Sequence, residues 1–101
     1  MIRGTTPTLE FVLPFAVTSA DKIWITFSQK GKEVFTIETT DCKINETVIQ
    51  VVLTQQQTLK LLSETTLEIQ IRLLTDTGVA MASQIILTTV QRILKDGEIQ
   101  W

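Results

Sequence analysis

Between Thr66 and Val90 the chain alternates apolar and polar residues in two runs separated by a single glycine. In the first run, TLEIQIRLLT, Leu67, Ile69, Ile71 and Leu73 fall on one side of an extended chain, and Glu68, Gln70 and Arg72 on the other. Side chains on a strand alternate with period two, so this run predicts a strand with one buried face. Leu74 is the one residue that breaks its polar side. The second run, VAMASQIILTTV, follows Asp76-Thr77-Gly78. Two such arms joined by Asp-x-Gly predict a β-hairpin, because Gly78 tolerates the positive φ of a tight turn.

The remaining chain reads the same way. TLEFVL (8–13) is a first strand after a polar lead-in, and Pro14 interrupts it or sets it at an edge, since proline cannot donate a ladder hydrogen bond. FAVTS (15–19) is either a continuation of that strand or a loop. KIWITFSQ (22–29) places Ile23, Ile25 and Phe27 opposite Lys22, Trp24, Thr26 and Ser28; it turns through Lys30-Gly31-Lys32 into EVFTIET (33–39). A short CKIN segment turns at Asn45-Glu46 into TVIQVVL (47–53), apolar enough to be buried on much of both faces. Thr54 and Gln57 fit a capping box, predicting a short helix near 55–62, with Leu59 and Leu62 packed on the core. Lys95-Asp96-Gly97 marks a last turn before the apolar-ended tail GEIQW.

These segments predict one domain, residues 1–101, built as an all-β antiparallel sandwich of immunoglobulin-like type with about seven strands and one short helix. Thr, Ile and Val supply 37 of the 101 residues, the β-branched set that suits a pleated sheet. The expected core is Phe11, Leu13, Ile25, Phe27, Phe35, Ile37, Val51, Leu67, Ile69, Ile71, Leu73, Ile85 and Leu87.

Composition narrows the chemistry. Histidine is absent, which removes Ser-His-Asp and Cys-His nucleophile pairs, histidine-bearing zinc sites and the usual neutral-pH proton shuttle. The four glycines are too far apart for a phosphate-binding loop. A net charge of −2 offers no electrostatic reason to bind nucleic acid or an anionic membrane. No apolar run is long enough to span a bilayer, and the first ten residues carry no signal-peptide pattern. One cysteine, Cys42, cannot staple the fold, which suits a reducing compartment. The expectation is a protein that is not an enzyme, with no cofactor and no metal.

Asp76-Thr77-Gly78 matches the catalytic tripeptide of aspartic proteases, but only 23 residues follow Gly78, too few for the flap and second glycine motif of that family. A hairpin turn accounts for the triplet. Cys42 has only Lys43 as a close cation in sequence and is read as a half-buried structural thiol. Asn45-Glu46-Thr47 fits a glycosylation sequon and is read as a turn. The candidate interface residues are Trp24, on the polar side of its strand, and Trp101 and Ile99 in the tail; tryptophan combines large apolar area with one donor and is enriched at interfaces. Strand edges are unpaired templates, so the GEIQW segment is expected to add to one and the protein to self-associate.

The segments MIRGTTPTLEFVLPF, Asp41-Cys42, LTQQQTLKL, IQIRLLTDTGVAMAS and RILKDGEI together resemble a family of small proteins encoded in prophages and phages of Firmicutes. The resemblance spans nearly the whole chain, rests on strand and turn sequences rather than catalytic signatures, and departs at Gln100-Trp101. It implies a structural or assembly component of a phage particle, in the tail, baseplate or capsid. Its partners would be other protein chains, either virion proteins or further copies of itself, and its location the virion or the host cytoplasm. Two alternatives stand beside it: a carbohydrate- or host-surface-binding β-sandwich, and an intracellular inhibitor of a host protein, the latter in keeping with an acidic pI near 5.0.

Overall fold

The computed structural model describes residues 1–17 and 20–100. Their strands are β1 (Thr8–Val12), β2 (Ala20–Gln29), β3 (Lys32–Glu38), β4 (Lys43–Asn45), β5 (Val48–Val52), β6 (Thr66–Thr75), β7 (Ala80–Ala82) and β8 (Ile86–Thr89), with one α-helix, α1 (Gln55–Leu59), and a single 3-10 turn at Thr39–Asp41. Every pair of these strands is antiparallel. They form two sheets: β1-β5-β4, and β3-β2-β6 with β7 and β8 in line along the far side of β6.

The period-two pattern places the core. Ile23, Ile25 and Phe27 of β2 lie opposite Leu73, Ile71 and Ile69 of β6, and Ile25 and Phe27 also face Ile37 and Phe35 of β3. All are buried, and the rings of Phe27 and Phe35 stack with centroids 4.5 Å apart. Phe11, Leu13, Ile49, Val51 and Leu53 come from the smaller sheet and its flanks to join the same cluster. One core therefore lies between two layers, the arrangement that lets each sheet hide its apolar face.

Local chemistry explains the connections. Lys30 and Gly31 both have positive φ, 52° and 75°, as a two-residue hairpin turn requires if its twist is to match the strands. At α1 the capping box is complete: Thr54 Oγ1 accepts from Gln57 N (3.1 Å), and Gln57 Oε1 accepts from Thr54 N (2.9 Å). The buried Gln29 clamps the exit from this helix, its Nε2 donating to Leu62 O (2.9 Å) and its Oε1 accepting from Leu62 N (2.7 Å).

Several expectations are corrected. Ile85 and Leu87 are not core residues: they are 52% and 65% exposed. Strict alternation through 79–90 put odd positions inward, and Met81 opposite Leu73 obeys it. Between β7 and β8 the pairing shifts by one residue, so that Ile86 faces Ile69 and Thr88 faces Leu67. One inserted residue sends every later side chain to the opposite face. Ser83 holds this bulge. It donates from N to Ile71 O (2.8 Å), and its Oγ accepts from Ile71 N (3.0 Å), standing in for a strand carbonyl.

Near the helix, Leu61 and Thr58 are buried while Leu62 is exposed, because α1 stops at Leu59 and the chain turns before 62. On β5, Ile49 and Val51 are buried but Val52 is exposed, so the strand covers one face rather than two. The segment after Pro14 is not a strand through Val17; Leu13 N and Val17 N instead donate to Thr47 O and Glu46 O in the β4–β5 turn, both at 2.8 Å. Residues 18 and 19, the end of the FAVTS segment, lie outside the described residues.

Candidate protein-contact surface

From Lys22 onward the even-numbered residues of β2 point away from the core, and Trp24 sits among them at the middle of the larger sheet. Its strand neighbours are Glu38 on β3 and Arg72 on β6. The indole remains 47% exposed, although it lies on the central strand of a well-packed layer. The Arg72 guanidinium carbon lies 5.6 Å from the ring centroid, within cation–π range, an attraction of about 0.5–1 kcal/mol at an exposed site. This contact steadies the ring without covering it.

Two residues further along the sheet, Lys22, Leu74 and Ala80 form the next row on this face across β2, β6 and β7. Together with Trp24, Arg72 and Met81 they line a shallow depression of about 200 Å³. Leu74, the exception in the alternation of β6, is thus an exposed apolar residue beside the tryptophan. The pattern break in the sequence was the signal for it. On the other flank the hydroxyls of Thr26 and Thr36 lie 3.3 Å apart, and Thr36 donates to Glu33 Oε2 (2.6 Å). The surface is therefore an aromatic plate with an apolar margin on one side and hydroxyls and carboxylates on the other.

The structure does not bring Ile99 to this patch. Ile99 lies against α1, its N donating to Gln55 Oε1 (2.8 Å) and its O accepting from Gln55 Nε2 (3.0 Å), with its side chain 82% exposed. Its backbone hydrogen bonds are thereby made to a side-chain amide and not to a strand edge of its own domain. Trp101 lies outside the described residues.

The other sequence candidates have structural positions. Asp76 is exposed at the tip of the β6–β7 hairpin, where Gly78 takes φ 87° and its N donates to Thr75 O (3.0 Å). Cys42 is half-buried and its thiol donates to Glu38 O (3.4 Å). Burial, and then the neighbouring Asp41 carboxylate, push its pKa above the ordinary thiol value, the opposite of what a reactive thiolate needs. Among the described residues no cluster of three or more histidine, cysteine or carboxylate side chains could hold a metal ion. No helix among them is long and apolar enough to cross a membrane.

Sequence reasoning missed a second concavity. A cleft of about 550 Å³ opens between β1 with the loop after it and the β7–β8 edge, and reaches inward to Ile71 and Leu73. It depends on the bulge at Ser83 and on the pairing of β1 with β5, neither of which has a sequence signature.

What fold and surface define together is a class: a two-sheet antiparallel β domain whose most distinctive exposed feature is an aromatic patch on a stiff sheet. Comparison with known proteins goes no further, since no family model, no curated protein and no solved structure matches the chain.

Proposed function

We propose that this protein is a non-enzymatic structural or assembly component of a phage particle, acting through protein–protein contacts, with Trp24 as an anchor of its contact surface. The observation that carries the reading is the half-exposed Trp24 held by Arg72 beside Leu74. A rigid sheet that keeps a tryptophan in solvent spends apolar area on something outside the domain, and partly buried Trp and Arg are the residue types on which binding energy concentrates. The phage setting rests on the sequence resemblance. Virion proteins or further copies of the chain are the partners, and the virion or the host cytoplasm the location.

The strand order supports a finer fold assignment within this proposal, an immunoglobulin-type sandwich. With β1 taken as the second strand of that fold, β1-β5-β4 corresponds to B-E-D, and β3-β2-β6 with β7 and β8 corresponds to C′-C-F-G.

A carbohydrate- or host-surface-binding role is the second reading, favoured by the pairing of the Trp24 ring with the exposed Glu38 carboxylate on the adjoining strand. Mass spectrometry of purified particles and their assembly intermediates separates the two. Presence of the protein there, lost in Trp24→Ala while the variant still folds, supports the structural reading. Absence from particles, with glycan-array binding that Trp24→Ala abolishes, overturns it in favour of sugar recognition.

A further inference from the structure

Among the described residues β1 pairs only with β5, which leaves its other edge open. Leu53 N donates to Pro7 O (3.0 Å) and Leu13 N donates to Thr47 O (2.8 Å), continuing the β1–β5 register outward at odd-numbered residues of β1. In an antiparallel ladder, residues alternate between bonding toward the partner and away from it. Thr8, Glu10 and Val12 therefore direct their N–H and C=O groups away from β5, on the side where the 550 Å³ cleft lies. The cleft walls are mainly apolar, with Phe11 and Leu13 on one side and Met81 and Ile86 on the other, and Glu10 is the one charged residue among those that line it; its Oε1 accepts from Gln50 Nε2 (3.2 Å), a neutral partner that leaves its charge in place.

The same chain carries a segment of complementary character. Leu94 and Ile99 are 94% and 82% exposed, more than any other large apolar side chain among the described residues. Arg92 and Lys95 flank Leu94 and are also exposed. The acidic residues of this segment are engaged elsewhere: Asp96 with Arg3 at 2.6 Å, and Glu98 with Gln56 Nε2 at 3.4 Å. Asp96 is neutralised by Arg3, so the segment presents two apolar side chains and two cations beside the exposed carboxylate of Glu98, a balance that is net positive.

We propose that the cleft between β1 and the β7–β8 edge receives the 92–99 segment of a second copy of this chain. Leu94 enters between Phe11 and Met81, Arg92 and Lys95 meet Glu10, and the open groups of β1 bond the incoming backbone. A two-fold pairing of β1 with itself is disfavoured, because its central register sets Glu10 against Glu10. The contact is accordingly head-to-tail, and repeats into a ring or an open filament according to the rotation between copies. This goes beyond the Trp24 surface and does not depend on it.

The test is light scattering after size exclusion, with two variants at exposed positions. The wild type is expected to rise above a one-chain mass over a roughly hundredfold concentration range, as mass action requires of self-association. Glu10→Lys removes the cleft carboxylate and Leu94→Glu the apolar knob; each is expected to weaken association at least about tenfold while melting close to the wild type. A 1:1 mixture of the two variants, with a working cleft on one and a working segment on the other, should form a two-chain particle and stop there. Glu10→Lys combined with Arg92→Glu and Lys95→Glu should restore self-association by reversed charge. A one-chain wild type throughout, association indifferent to both variants, or a mixture that stays at one-chain mass overturns the proposal. Trp24→Ala leaves this association unchanged, so its failure and that of the Trp24 surface are distinguishable.

Discussion

The bulge between β7 and β8 can be tested by two substitutions that strict alternation would make equivalent. Ile71 and Leu87 both fall on apolar positions of the hairpin arms, but Ile71 is 1% exposed and Leu87 faces solvent opposite Glu68. Ile71→Ala deletes three buried carbons, worth about 2.4 kcal/mol at roughly 0.8 kcal/mol each. Ile71 is flanked by Ile25 on β2 and by the Ser83 bulge, elements fixed by their own hydrogen bonds, so the site collapses only in part. A residual cavity of about 50–80 Å³ adds about 1–2 kcal/mol, for a total near 4 kcal/mol and within the usual range of about 2–5. Leu87→Ala should cost under about 0.5 kcal/mol, as exposed substitutions do. Urea denaturation followed by intrinsic fluorescence reads both, provided the slopes agree. Similar losses for the two variants would mean that the pairing continues without a bulge and that Leu87 lies in the core.

Other outcomes follow from single residues. Gly78→Val should destabilise by about 1–2 kcal/mol, because a β-branched residue resists φ 87°, whereas Asp76→Asn at the same exposed tip should leave both stability and any partner binding unchanged in melts and pull-downs; peptidase activity lost specifically in Asp76→Asn would contradict this reading. Gln29→Leu removes both hydrogen bonds to Leu62 and should cost about 1–3 kcal/mol, with faster amide exchange at Leu62 as the local readout. Because the folded-state pKa of Cys42 is raised above 9.0, its contribution is fully present below the unfolded value and is lost as pH rises through the folded value. Urea midpoints should therefore fall above pH 9.0 in the wild type and fall less in Cys42→Ala; identical profiles would refute the link.

Much of the fold was legible in the sequence because its causes are local. The alternation of β2 and β6, the positive-φ turn at Gly78 and the Thr54–Gln57 box act within a few residues, and each is realised as read. Trp24 was legible as an aromatic on the wrong side of an amphipathic strand, and Leu74 as a break in polarity. What surrounds them was not. That Arg72 and Leu74 flank Trp24 follows from the β2–β6 register, a choice made between segments more than forty residues apart. The outward turn of Ile85 and Leu87 arises because Ser83 offers Ile71 a hydroxyl in place of a carbonyl, which inserts one residue and reverses the parity of the strand. Alternation determines which side chains share a face. Only the packing of the two sheets against one core decides which face is inside, where the count slips, and which edge is left open.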